Sequence, residues 1–577
     1  MHVCAGARVL SGLATLVAVL VFALLVRVLR LMLPDSEPVW RSLQTKRATV
    51  GVMLFSGIAL SLTAGTLHRM PVVPDEWLYA TQAALFAHLR WTGGPVPAVF
   101  DSAVAFAAVA SKYPPGESLL LTPGVWLHVP SVMPVVLTAV TAGGIFAIAR
   151  RIADVRVATL TVLYWLSLPQ TLIWHVSYMS EVASGATWLI AWWCLLTWVR
   201  DGTRAALIGV GVAIGVAAIT RPLSAIALSV PVAIVVIAVS ARRRAWWLLG
   251  RALLAGCAVL SVIPVWNAKT TGSWRMTPIE AARREYMPFD KLGFGFDSTP
   301  PRRLFPPDLD RAMQSYRDGH RGYTPAAVPA ALVSRLRFVA RDVWAGPRRG
   351  LFPFFILSAA VITFDAWIGV ASTALLIALY LLYWTPPSWT IYYLEVEPVL
   401  CFLTVVGCVR FVEWTAGRMA LRRLPLALAV VASVAVVVVL WVASDARKQT
   451  RASAAYYWRF DSTLASLPAS KALVFVRYSP THLRFNWLTR NELDLSAARI
   501  WLLNDIGPRD IQLQRLAPDR RAYIFDEATW TLTPLPTATC GRPVPSSALT
   551  DTAVTSESET ATRCRLAPAL ADSAAGH

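Results

Sequence analysis

A chain of 577 residues that is 56% apolar and only 15% charged, with a mean hydropathy of +0.52, is too apolar for a soluble protein of this size. Its formal charge of +20 would suit nucleic acid, but the basic residues sit mostly in short connectors between apolar runs, and no basic, aromatic module stands apart from them. Composition therefore excludes a soluble enzyme and a nucleic-acid binder, and predicts an all-α polytopic membrane protein embedded among membrane lipids.

In chain order, runs long enough to cross a bilayer core predict about twelve transmembrane helices. They lie over 8–30, 48–67, 131–149, 156–172, 182–199, 205–220, 223–240, 246–266, 351–364, 367–384, 396–412 and 424–443. The first is unusual: Arg27 and Arg30 put its C-terminal end inside, and it could instead be an uncleaved signal-like anchor. The loop 68–117 carries DEWLYATQAALFAHLR over Asp75–Arg90, whose apolar residues recur at helical spacing, as in a helix lying in the interface. A short amphipathic piece near 102–111 follows it. The apolar segment 117–129 is too short and proline-flanked for a full span, and reads as half a span or a dip into the interface. The loop 267–350 is basic and rich in Pro and aromatics, too long for a mere connector.

From about 444 the hydropathy falls, and ALVFVRY (472–478), RIWLLN (499–504) and RAYIF (521–525) read as strands of a small α/β domain. The expected plan is 1–47 extra span and connector, 48–443 transmembrane domain, 444–536 α/β module, and 537–577 a disordered Ser/Thr/Ala-rich tail. The 7 cysteines show no metal spacing; Cys540 and Cys564 could pair if the tail is outside.

Basic connectors set the orientation. Arg41, Lys46 and Arg47, then Arg150, Arg151 and Arg156, then Arg200 and Arg204, then Arg242, Arg243 and Arg244, and finally Arg410, Arg418, Arg422 and Arg423 all fall on one side, taken as cytoplasmic. The loops 68–117 and 267–350, and everything after about 444, are then extracytoplasmic.

On that outer face, polar groups gather at span ends. Asp75 and Glu76 share a loop with Lys112 and Tyr113 of KYPPG; His175, Tyr178 and Glu181 follow the fourth span. Arg221 heads the seventh, and Tyr392, Tyr393, Glu395 and Glu397 open the eleventh. Each singly suits an anchor or a helix cap. Together they describe an outward cleft in which cations can hold a lipid-linked phosphate and a carboxylate can serve an acceptor hydroxyl as general base. The paired acids could instead hold a divalent cation; no cofactor is otherwise implied.

The stretches VVPDEWLYATQAALFA, SKYPPGESLLLTPG, SYMSEVASG, WNAKTTGSWRMTP and YYLEVEP, in that order, resemble the GT-C superfamily of membrane glycosyltransferases. The nearest likeness is to bacterial proteins similar to dolichyl-phosphate-mannose protein mannosyltransferases and lipid A aminoarabinose transferase. The resemblance implies transfer of one sugar from a polyprenyl-phosphate donor to a protein, lipid or glycan acceptor, outside the bacterial cytoplasmic (inner) membrane, with inversion. It maps the catalytic carboxylate onto Asp75 with Glu76 beside it, and the second-loop acid onto Glu181. It makes Lys112 and Arg221 donor-phosphate ligands, with Tyr113, Tyr393 and Glu395 supporting. Many relatives carry Arg before the paired tyrosines where this chain has Ile391; Arg348 or Arg349 is the expected replacement. The competing readings are a transporter or flippase of lipid-linked sugars, which should show half-repeats and mid-span polar residues, and an inactive scaffold.

Overall fold

The computed structural model describes residues 42–64, 70–102, 110–302, 307–416, 444, 448, 451–468, 470–482, 488–492 and 494–535. The expected spans 8–30 and 424–443 and the tail 537–577, with Cys540 and Cys564, lie outside them.

After α1 (Lys46–Ala64) the first loop folds into α2 (Pro74–Ala87), the short α3 (Ala98–Ser102) and α4 (Gly116–Trp126). A hairpin of α5 (Val132–Ile152) and α6 (Val155–Leu166) follows, its turn closed by Asp154, whose carboxylate accepts the amides of Arg156 and Val157. The chain then forms α7 (Pro169–Ile173), α8 (Ser180–Asp201), α9 (Arg204–Thr220), α10 (Pro222–Arg243), α11 (Trp246–Leu260) and α12 (Val262–Thr271). Gly202, at φ 68°, ends α8 in a left-handed conformation that favours glycine. The second long loop contains α13 (Pro278–Tyr286), α14 (Pro307–Gly322) and α15 (Val328–Trp344), and α16 (Phe352–Ser358), α17 (Phe364–Tyr380) and α18 (Glu397–Ala416) complete the bundle.

Four helical stretches are long and apolar enough to cross a membrane: Val132–Ile152, Ser180–Asp201, Pro222–Arg243 and Trp246–Thr271. Arg47–Leu62, Val155–Leu166, Arg204–Thr220 and Phe364–Tyr380 are apolar but shorter. The expected twelve are thus not reached among the described residues. The run 156–172 is broken because Leu168, preceding Pro169, is held extended at ψ 137°. The run 351–364 yields only the 7-residue α16. The apolar outer face is that of a lipid-facing bundle: Leu253 and Leu254 on α11 are 60% and 71% exposed. Between helices, small residues permit close approach. A Cβ at Gly211 of α9 would lie 2.0 Å from the Ala252 carbonyl oxygen of α11.

One end of the bundle gathers the basic connectors. Arg150 donates to the carbonyls of Leu43 and Thr45, Arg151 pairs with Asp201, Arg200 with Asp365, and Arg243 donates to the carbonyls of Trp198 and Val199. Since α8 runs from Ser180 to Asp201 and α9 returns from Arg204 to Thr220, Glu181 and Arg221 lie at the opposite end.

The C-terminal residues build the expected α/β module. After α19 (451–465), β1 (Ala472–Arg477) pairs in parallel with β2 (Ile500–Asn504) on one side and β3 (Arg521–Asp526) on the other; α20 (Asp510–Arg515) lies between β2 and β3 in sequence, and β4 (Thr531–Pro534), not anticipated from the sequence, runs antiparallel to β3. Alternation along β1 divides two cores. Leu473 and Phe475 pack with Trp501, Val99 and Phe100 on one face, whereas Ala472, Val474 and Val476 pack with Tyr457, Phe460 and Phe525 on the other. Val99 and Phe100 come from the loop between α1 and α5, so that loop is built into the module's core.

Candidate active site

The site begins at the first turn of α2. Val73 is the extended N-cap, Pro74 starts the helix with a φ already suited to it, and Asp75 and Glu76 follow where carboxylates complement the helix dipole. Their fates differ. Glu76 is fully buried: Oε2 accepts the amides of Val72 (2.6 Å) and Val73 (3.1 Å), and Oε1 accepts the amide of Tyr178 (3.1 Å) from the segment before α8. This is the reciprocal half of a capping box extended to a second segment, and it gives Glu76 a structural task. Asp75 stays accessible, its side chain 37% exposed, with Lys112 Nζ 3.9 Å from Oδ1. The adjacent acids thus face different partners, and among the described residues no group of three or more His, Cys, Asp or Glu is gathered within metal-holding range.

KYPPG lies against this turn. Tyr113 stacks on Tyr79 of α2 (centroids 5.0 Å, 24° between planes), Lys112 Nζ stands 4.9 Å from the Tyr113 ring centroid, and the Tyr79 hydroxyl lies 2.9 Å from Ser180 Oγ. Burial first, and then the Asp75 charge, push the Tyr113 phenol well above its ordinary value, so it acts as a neutral hydroxyl. The glycine has a steric reason: a Cβ on Gly116 would sit 2.3 Å from Thr220 Oγ1 and 2.8 Å from the Ile219 carbonyl. The start of α4 is thereby pressed against the end of α9, next to Arg221.

Arg221, between α9 and α10, is the hub of the inner layer. It pairs with Glu181, reaches Glu395 at 3.8 Å, donates to Ser180 Oγ and Ser224 Oγ (both 3.3 Å) and to the Tyr380 hydroxyl, and lies 5.4 Å from the Tyr392 ring centroid. Its side chain is 11% exposed. The structure thus spends Arg221 on two carboxylates and three hydroxyls rather than presenting it openly beside Lys112. Glu117, not singled out from the sequence, is buried with neither oxygen hydrogen-bonded among the described residues, close enough to Glu181 and Arg221 to interact with their charges. Its only signal was its place directly after KYPPG.

Tyr393 is reached by Arg335 of α15, not by Arg348 or Arg349. Arg335 Nη1 donates to the Tyr380 carbonyl (2.6 Å) and the Tyr393 hydroxyl (3.2 Å), and Nη2 to the Tyr383 carbonyl (2.8 Å). Arg348 instead makes long contacts to the carbonyls of Ser167 and Ala345. Arg335 is lost among the many basic residues of the 267–350 loop, which is why sequence reading passed over it. It pins the 380–393 turn, from which Tyr392 comes within electrostatic range of Asp75; Tyr316 of α14 does so from the second loop. His175 and Glu397 are buried apart from this layer, with Nε2 4.0 Å from Oε2 and no hydrogen bond between them.

An accessible carboxylate and lysine thus lie at the end of the helical bundle opposite its basic connectors, beside the α/β module, and the fold as a whole is similar to that of GT-C membrane proteins. A sequence-family model described as dolichyl-phosphate-mannose-protein mannosyltransferase matches residues 128–267, which include Glu181 and Arg221 but neither Asp75 nor Lys112. The structure of ArnT from Cupriavidus metallidurans bound to undecaprenyl phosphate is similar over 84% of this chain and 91% of that chain, at 16% identity and TM-score 0.51. Its apo state aligns over 76% and 84%, at 17% identity and TM-score 0.46. The archaeal oligosaccharyltransferase AglB from Archaeoglobus fulgidus, in complex with an inhibitory peptide and a dolichol-phosphate, aligns over 75% and 62%, at 14% identity and TM-score 0.37. No curated protein matches the chain. The family-model match and the fold shared with undecaprenyl-phosphate-bound ArnT show the likeness to protein-mannosyltransferase-like members of the GT-C superfamily.

Proposed function

We propose that this chain is an integral-membrane glycosyltransferase that moves one sugar from a polyprenyl-phosphate donor to an acceptor hydroxyl or amine on the outer face of the cytoplasmic membrane. The observation that carries the reading is the pairing of accessible Asp75 with Lys112 at 3.9 Å, at the bundle end remote from the basic connectors. The undecaprenyl phosphate bound by ArnT, whose fold this chain shares, supports a donor of that class.

The step is a single displacement with inversion. The acceptor oxygen or nitrogen bonds to the anomeric carbon as the bond from that carbon to the phosphate oxygen breaks, its electron pair leaving with the polyprenyl phosphate. Asp75 accepts the acceptor's proton as general base, and Lys112 balances charge developing on the phosphate. Arg221 acts one layer deeper, holding Glu181 and Glu395, and Glu76 holds the helix that presents Asp75. No step is assigned to a divalent cation.

The test is consumption of a radiolabelled polyprenyl-phosphate sugar by purified protein in the presence and absence of acceptor. Asp75→Asn should abolish transfer while membrane insertion is unchanged. Full activity in that variant would overturn the base assignment, and movement of intact lipid between leaflets without transfer would favour a flippase.

A further inference from the structure

The C-terminal module grips the helix that carries Asp75. Arg490, from the segment between β1 and β2, places its guanidinium 4.7 Å from the Trp77 ring centroid and 4.5 Å from that of Tyr457, and its Nη2 is anchored on Asp461 of α19 at 2.7 Å. Trp77 and Tyr457 meet edge-on, 5.9 Å between centroids and 77° between planes. The Tyr457 hydroxyl donates to the Val72 carbonyl at 3.3 Å, on the same residue whose amide is held by Glu76. Met70 packs on the module's Tyr457 core, and Phe100 meets Trp501 of β2 at 5.4 Å on the opposite face of the sheet. The first outer loop is therefore fastened to both faces of the module, with α2 between the two attachments.

The geometry of the grip is informative. Residues two apart on a helix point about 200° apart, so Trp77 faces nearly opposite Asp75. The module holds the back of α2 and leaves its reacting face open. Connectors of this kind are ordinarily the most mobile parts of a fold. Here a largely buried cation set against two neighbouring rings, itself tied by an ion pair, fixes the first turn from outside the membrane domain.

We propose that Arg490, Trp77 and Tyr457 are positioning residues, through which the C-terminal module sets the placement of Asp75 and thereby the turnover of the membrane domain. This rests on the reading of Asp75 as the catalytic carboxylate. The test uses the full chain in lipid nanodiscs and two readouts. The first is hydrogen–deuterium exchange of the peptide covering 74–80 in wild type, Arg490→Ala, Arg490→Lys and Trp77→Leu, with peptides from β1 and from α8 as controls for a folded module and bundle. Arg490→Ala and Trp77→Leu should each speed exchange at 74–80 about tenfold, the size expected for losing a partly desolvated cation–π contact, with both controls unchanged. Arg490→Lys, which keeps the charge, should restore most of the protection.

The second readout is transfer from a radiolabelled polyprenyl-phosphate sugar. Here kcat should fall on the order of tenfold or more, since small misplacements of a catalytic group are expensive, while the donor KM, which depends on Lys112, stays constant. Unchanged exchange at 74–80 in both Arg490→Ala and Trp77→Leu overturns the positioning role whatever the activity. Accelerated exchange in the two variants, together with a wild type that transfers no sugar, leaves the clamp standing and overturns the catalytic reading instead.

Discussion

Replacing Glu76 by Gln separates two roles that adjacent carboxylates could share. In the native structure three amides converge on this side chain, from Val72, Val73 and Tyr178. Gln is isosteric but has one acceptor oxygen, so its NH2 must face at least one N–H donor. If the oxygen stays with Val72 and Val73, the amide of buried Tyr178 is orphaned, at a cost of about 1–3 kcal/mol. Losing the charge at the start of α2 adds roughly 0.3–1 kcal/mol. A local penalty of about 1–4 kcal/mol follows. It should appear as a lowered thermal midpoint in the purified protein, measured by differential scanning fluorimetry. Turnover at low temperature should nevertheless stay within about tenfold of wild type, because Asp75 and Lys112 are intact and Trp77 still fastens the turn; losing a general base costs about 10²–10⁴. The decisive comparison is Glu76→Gln beside Asp75→Asn in the same transfer assay. Equal losses of activity, with an unchanged midpoint for Glu76→Gln, would refute the division of labour and return Glu76 to the chemistry.

Lys112→Met should raise the donor KM by on the order of 10-fold or more while the fold is kept, since the lysine is partly exposed and its pair with Asp75 is long; an unchanged KM in steady-state kinetics would remove it from phosphate binding. Arg221→Met strands Glu181 and Glu395 in the interior and should destabilise the protein by about 3–5 kcal/mol, read as poor recovery and early unfolding; wild-type stability would show that those carboxylates do not depend on it. In the module, burial and then the neighbouring Asp505 push Asp510 up to about 8, so the folded state holds a proton there that the unfolded state releases near pH 4. This group's contribution to stability is therefore largest at low pH and declines as pH rises from about 4 to about 8. Asp510→Asn, which keeps an acceptor for the Ile506 amide, should flatten that decline in a pH series of thermal melts, and an unaltered pH profile would contradict it.

Much of the architecture is written in hydropathy. Apolar runs at helical length, basic connectors at one end and β-type runs after 444 are local properties, so they could be read without tertiary information. Breaks within runs were harder to see, because Pro169 interrupts a stretch whose composition alone still suits a span. Asp75 and Lys112 were legible together because they lie in one loop.

What the residues by themselves could not decide is which of two neighbouring acids stays accessible. Asp75 and Glu76 share a dipeptide and a charge, but they leave the helix about 100° apart, and only the packing of Tyr178 against the turn makes one a cap and leaves the other accessible. The same holds for Arg221, whose partners arrive from α8, α17 and the 390–396 turn, and for Arg490, more than 400 residues from the helix it holds. The apolar runs and the Asp75–Lys112 pairing are local facts of composition and order. The roles of the charges around that pair are long-range facts, decided by which distant backbone amides and side chains the fold brings within hydrogen-bonding reach.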